Sequence, residues 1–215
     1  MKKNTVPFVV IDGQDGSGKG TQIKLLVERA EREGRNIHPT REPGGARLSE
    51  MIREVFVSPE GAEASPRTQF LLMWAARANW LEKVVIPSLE RGIPVLADRC
   101  DSSTLAYQIY AKEGRDLETW FWEMRGRIFG TYTPTRYLII DVPAEEAKRR
   151  VDADVSREKS RFDMKPLDFY ERVRKGFARF AEMPDDGVTI INGMRDPEVI
   201  HEEVYAIVSK LCGWQ

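Results

Sequence analysis

Near the start of the chain, Gly13-Gln14-Asp15-Gly16-Ser17-Gly18-Lys19 joins two segments of different hydrophobic period. No other stretch restricts the fold as much. Val6 to Ile11 is a short apolar run, mostly β-branched, that closes on Asp-Gly, the pattern of a buried strand entering a turn. Beyond the string, Ile23, Leu26, Val27 and Ala30 recur at i, i+3, i+4 and i+7, so a helix with one apolar face runs on from Thr21. A G-x-x-x-x-G-K string between a strand and a helix is a phosphate loop. Gly13, Gly16 and Gly18 let the backbone curl, so that successive N–H groups, with Ser17 among them, face phosphate oxygens. The helix start at Lys19, Gly20 and Thr21 adds its positive dipole end, and Lys19 places a cation at the outer phosphates of a nucleotide.

The rest of the chain alternates strand-like and helix-like periods. Strands are expected at 36–40, 93–97, 137–142 and 188–191, with Tyr137 to Val142 the clearest central one. Helical spacing recurs at Leu48, Met51, Ile52 and Val55, from Thr68 to Ile86, and from Leu117 to Ile128. It returns over 145–151, 167–181 and 200–211, and Pro87 is expected to end or kink the longest stretch. Such alternation argues a mostly parallel sheet of about five strands covered on both faces, a three-layer α/β/α P-loop NTPase fold. No repeat or low-complexity linker interrupts it, so residues 1–215 read as a single domain.

Composition excludes several classes. Thirty-three Lys+Arg against 34 Asp+Glu leave a net charge of -1, so no net basic field points to nucleic acid. No apolar run reaches the roughly 20 residues of a membrane-spanning helix, and the run after Met1-Lys2-Lys3 stops at Asp12, too short for a signal peptide. Two cysteines, Cys100 and Cys212, make no disulfide framework, and the expected setting is the reducing cytoplasm.

Further residues suggest a second anionic substrate. Val95-Leu96-Ala97-Asp98 is an apolar strand ending in an acid, which makes Asp98 the natural carboxylate for Mg²⁺. Arg41 and Arg99 both follow strands, where ligands bind in an open α/β sheet, and Arg77 lies within the long helix. Guanidinium groups grip phosphate as a bidentate fork.

At this point the chain resembles the thymidylate kinases. Asp15-Gly16-Ser17-Gly18-Lys19 with Thr21-Gln22, Arg41-Glu42-Pro43-Gly44-Gly45, Ala76-Arg77-Ala78, and Asp98-Arg99 with Ser103-Thr104 and Ala106-Tyr107-Gln108 carry the likeness. Arg161-Phe162-Asp163 and 167–174 continue it in order. The resemblance implies transfer of the ATP γ-phosphoryl group to dTMP, with Mg²⁺, in a homodimer. Asp15 would face the sugar 3′-hydroxyl and the metal, and Arg41 and Arg99 would bind the acceptor phosphate. Arg77 would donate to a base carbonyl, Thr104 and Gln108 would line the base edge, and Tyr107 would close the 2′ position. Residues 149–163 correspond to a lid of the bacterial type, in which Arg157 and Arg161, with Lys159, would reach the transferring phosphoryl group.

Four positions depart from that pattern. Gly20 stands where a Ser or Thr hydroxyl usually holds Mg²⁺, giving a string like that of adenylate kinase. Met73 stands where a Phe usually stacks on thymine, Cys100 where an aromatic or histidine is common, and Ser160 where an Asp is common. A kinase for dUMP or a 5-modified monophosphate, and a nucleotide switch without kinase activity, therefore stay open. Trp120 and Phe121 are expected in the core and Trp122 at a partner surface, while His38 and His201 receive no role.

Overall fold

The computed structural model describes residues 6–154, 164–183 and 187–214. Its strands are β1 (Phe8–Asp12), β2 (His38–Arg41), β3 (Val95–Asp98), β4 (Arg136–Asp141) and β5 (Val188–Asn192). They form one sheet in the order β2-β3-β1-β4-β5, and every neighbouring pair is parallel. The P-loop α/β architecture is thus as the alternation implied. The central position belongs to β1 rather than to the longer β4.

Side chains alternate across a strand, so one short run builds both cores. Phe8 and Val10 of β1 point into one apolar cluster, Val9 and Ile11 into the other. The helix after the phosphate loop, α1 (Lys19–Arg32), covers the second face with α10 (Pro197–Cys212) through Leu26, Ile200, Val204 and Val208. The first face is covered by α4 (Pro66–Trp80), α7 (Glu118–Phe129) and α9 (Leu167–Ala181). Shorter helices are α2 (Arg47–Val57), α3 (Pro59–Glu63), α5 (Ile86–Glu90), α6 (Asp101–Thr104) and α8 (Ala144–Ala153).

Pro87, expected to end or kink the longest helical stretch, does not end it: a π-helical turn, Leu81–Val85, follows α4, and α5 carries Pro87 in its first turn. The wider turn accommodates a ring that would otherwise clash with the carbonyl four residues back. The apolar stripe Leu48, Met51 and Val55 on α2 faces outward, each side chain about half exposed, while Ser49 and Phe56 are buried. Trp120 is exposed and leans on Phe70, whereas Trp122 stacks on Phe180 at 6.1 Å, so the two tryptophans exchange their expected places. Cys100 and Cys212 are both free thiols. No helix among the described residues is long and apolar enough to cross a membrane.

Candidate functional site

Parallel pairing brings the strand ends into register. Arg41 lies opposite Asp98, and Asp98 opposite Ile11, so three chain segments discharge side chains at one edge of the sheet. β1 sits where the strand order reverses, which opens a crevice at that edge. The phosphate loop fills the crevice floor. Gly16 has φ +81, and a Cβ there would meet the carbonyl oxygen of Ala147 in α8 at 2.3 Å. Gly18 has φ +94, yet nothing lies within 4 Å of its Cβ position. That open space, beside the unpaired N–H groups of the first turn of α1, suits a phosphate oxygen.

A cavity of about 670 Å³ runs from this loop along the ends of β2 and β3. At one end it is lined by Asp15, Gly16, Gly18, Lys19, Gly20 and Thr21. Met73, Arg77, Thr104 and Gln108 line it as well, together with Asp98, Arg99 and Tyr107. Of the residues expected at the site, Gly13, Ser17 and Arg41 are absent from the lining. Gly13 O accepts from Arg99 at 3.0 Å, and Ser17 N donates to Gln14 O at 3.1 Å within the loop. Arg41 instead pairs with Glu50 of α2 at 2.9 Å. Arg157 and Arg161 lie outside the described residues.

Arg99 is the hub. Its guanidinium donates to Asp15 Oδ1 at 2.5 Å, Gly13 O at 3.0 Å, Ser103 Oγ at 3.1 Å and Asp12 Oδ1 at 3.2 Å. Its backbone has φ +67, an uncommon conformation for a residue other than glycine. Tyr107 O–H donates to Asp15 Oδ2 at 3.0 Å, and Lys19 Nζ approaches Asp15 Oδ1 at 3.4 Å. Burial raises the Asp15 carboxyl, but Arg99 and Lys19 outweigh it and hold the group well below the usual carboxylate range. Burial, aided by Arg99, pushes the Lys19 ammonium below its ordinary value.

Asp15 is therefore surrounded by donors. Asp98 is not: its Oδ1 is buried without a hydrogen-bond partner. A carboxylate oxygen left over at the mouth of a phosphate loop fits a Mg²⁺ ion better than Asp15 does.

The opposite end of the cavity rests on a buried ion pair. Arg77 and Glu42 are both at most 2% exposed, with contacts of 2.7 Å from Nε and 2.9 Å from Nη2. Burial pushes the Glu42 carboxyl up to about 7 against the pull of Arg77. Arg77 also donates to Thr104 Oγ1 at 2.9 Å, while its Nη1 has no partner. Tyr107 and Gln108 are carried by a π-helical segment, Leu105–Ala111, into which α9 is packed so closely that a Cβ on Gly176 would meet Ala106 Cα at 2.5 Å.

Sequence reasoning passed over four residues here. Asp12 is fully buried and accepts from Gly13 N, Ser102, Ser103 and Arg99, clamping the loop to β3 and α6. The acid closing Ile11-Asp12 was its one signal. Arg53 and Phe56 of α2 line the cavity, and only the turn of that helix reveals them. Arg150 of α8 also lines it, donating to Gly16 O at 3.4 Å and Gly193 O at 3.2 Å.

A family model described as thymidylate kinase matches residues 11–204. The thymidylate kinase of Bacillus cereus is 36% identical over 201 residues, covering 94% of this chain and 96% of that relative. That of Caulobacter vibrioides is 34% identical over 206 residues, covering 96% and 97%. That of Pelotomaculum thermopropionicum is 38% identical over 197 residues, covering 92% and 90%.

Proposed function

The chain belongs to the thymidylate kinase family, and from that premise we propose how its own residues divide the transfer of the ATP γ-phosphoryl group to dTMP. The enzyme is a nucleoside-monophosphate kinase that yields ADP and dTDP. One observation carries the division of labour: a single cavity has a phosphate loop at one end, planar-group donors at the other, and Arg99 between them.

Lys19 and the amides of Gly16 to Thr21 hold the outer phosphates of ATP, in a loop that Asp12, Gly13 and Ser17 support. Arg77, Thr104 and Gln108 take the edge of the base, for which the unpartnered Nη1 of Arg77 is one available donor. Met73 lies against the same ligand, and Tyr107, fixed to Asp15, occupies the volume a 2′-hydroxyl would need. Arg99, with Arg53 beside it, aligns the acceptor phosphate, while Arg41 acts from outside through Glu50. An acceptor oxygen attacks the γ-phosphorus in line as the bond to the β-phosphate bridging oxygen breaks. Catalysis is positioning and charge neutralisation, without a covalent intermediate. Asp98, with Asp15 nearby, would hold Mg²⁺ partly through water, and the ion would supply neutralisation of phosphate charge. Arg157 and Arg161 are assigned to the transferring group on the resemblance alone. Residues 1–215 act as one kinase domain.

ADP release from Mg·ATP against dTMP, dUMP, dCMP, AMP and 5-hydroxymethyl-dUMP tests this reading. A preference for dTMP of tenfold or more in kcat/KM is expected. ADP release indifferent to every monophosphate would overturn it. Asp98→Asn should leave nucleotide binding in place and raise the Mg²⁺ concentration needed for half-maximal rate about tenfold or more. An unchanged Mg²⁺ dependence would remove Asp98 from the metal.

We also propose a homodimer, supported by the outward stripe Leu48, Met51 and Val55 on α2. Light scattering should give twice the chain mass for the wild type and the chain mass for Met51→Glu. A monomeric wild type would refute the assembly.

A further inference from the structure

We infer that Asp12, at the end of β1, is the positioning residue that fixes Arg99 for the acceptor phosphate, a role that rests on the kinase reading above. Asp12 is fully buried and lies outside the cavity lining, so it acts through what it holds rather than on a substrate. It grips Arg99 together with the peptide that follows. Its Oδ1 accepts from the guanidinium Nη1 at 3.2 Å, and its Oδ2 accepts from the backbone N–H of Cys100 at 3.4 Å. Ser103 Oγ links the two side chains, accepting from Nη1 at 3.1 Å and donating to Asp12 Oδ1 at 2.9 Å.

Arg99 needs such a grip. At φ +67 an L-residue lies about 1–2 kcal/mol above its right-handed alternatives, so the bonds around it must maintain the conformation. Its own N–H donates to Ile11 O at 3.0 Å. Successive residues of β1, Ile11 by its carbonyl and Asp12 by its carboxylate, therefore hold the two peptide N–H groups that flank the Arg99 Cα. The guanidinium is caught between two acids of different standing. Asp15 accepts from Nη2 at 2.5 Å, but it is partly exposed, belongs to the phosphate loop and is also bonded to Tyr107. Asp12 is anchored in the central strand, and Ser102 Oγ at 2.6 Å and Gly13 N at 2.8 Å donate to it as well. A buried carboxylate so surrounded by donors is a rigid partner, and its charge-assisted bond sets the place of the guanidinium.

Asp12→Asn keeps an oxygen for Gly13 N but removes the negative charge opposite Arg99. It should lower kcat/KM for dTMP about ten- to thirtyfold, the loss expected when a hydrogen bond to a charged group is weakened, with KM for ATP within about threefold. A double-mutant cycle with Arg99→Ala separates positioning from packing. In the Arg99→Ala background Asp12→Asn should cost less than about twofold more, because the group it positions is gone. Losses that multiply across the two sites would overturn the proposal, and so would a kcat/KM for dTMP unchanged by Asp12→Asn alone. A KM for ATP that rises in step with KM for dTMP would also overturn it, since a packing role disturbs both substrates. Should Asp12→Asn not fold, Ser103→Ala removes the hydroxyl that links Asp12 to Arg99. That variant should lower kcat/KM for dTMP about three- to tenfold, and less than about twofold once Arg99 is alanine. Failure of the underlying kinase reading is recognised separately, by a wild type that gives no dTMP-dependent ADP.

Discussion

Replacing Arg99 by alanine is expected to lower kcat/KM for dTMP by about 10³-fold, the loss seen when a donor aimed at developing charge is removed. The expectation follows from geometry. The guanidinium touches Asp12, Gly13, Asp15 and Ser103 at 2.5 to 3.2 Å, so it ties the phosphate loop to β3 while standing between the two ends of the cavity. Alanine at φ +67 adds backbone strain of its own, which Arg99→Gly avoids. If both variants lose activity alike, the guanidinium is responsible rather than the backbone. Arg99→Lys should recover little, because a point charge cannot reproduce the fork. Arg41→Ala should cost less than tenfold, because Arg41 is half exposed and paired with Glu50 outside the cavity lining. Comparable losses at Arg41 and Arg99 in single-turnover assays would contradict the arrangement.

The parts of this site that sequence revealed are those whose geometry is local. The phosphate loop is written within some twenty residues as strand, glycine turn and helix, and the structure places β1 and α1 on either side of it. α9 likewise shows its apolar face over the whole of Leu167–Ala181, and its bounds are those the spacing predicted. Asp101–Ala111 was not read as helix for a physical reason: all seven residues of its π-helical part are buried, so no polar face alternates with an apolar one. On α2 the periodicity was visible but its direction was not. A stripe of Leu48, Met51 and Val55 looks like a core face, yet the face turned inward carries a serine, an arginine and one phenylalanine. Asp12 and the Glu42–Arg77 pair are long-range constructions, joined only when β1, β2, β3 and α4 meet. Their residue types were in plain view, but nothing in the linear order says that Glu42 faces a helix 35 residues away.

That pair carries the largest expected effect on stability. Arg77→Met removes a cation that is fully buried and leaves Glu42 without a counter-charge, which should cost about 3–5 kcal/mol in urea unfolding. Loss of the guanidinium stacked 4.3 Å over Trp74 adds to it. The cost should depend on pH with a definite sign. Burial raises Glu42 in the folded protein to about 7, so folding favours its neutral form, and this favourable contribution is full below about 4.5 and lost as pH rises through 7. Without Arg77 the neutral form is favoured further, so the penalty should be smaller at pH 5 than at pH 8. Arg77→Met/Glu42→Gln removes both charges and should recover most of the stability. It should not recover activity: with the Arg77 donor gone from the base edge, KM for dTMP should remain raised by a hundredfold or more, the range expected when a buried hydrogen-bonding site loses its partner. A double variant that is stable and fully active would make Arg77 a structural residue only. A stable and inactive one would separate its two roles, holding Glu42 and α4 in place on one side and reading the base on the other.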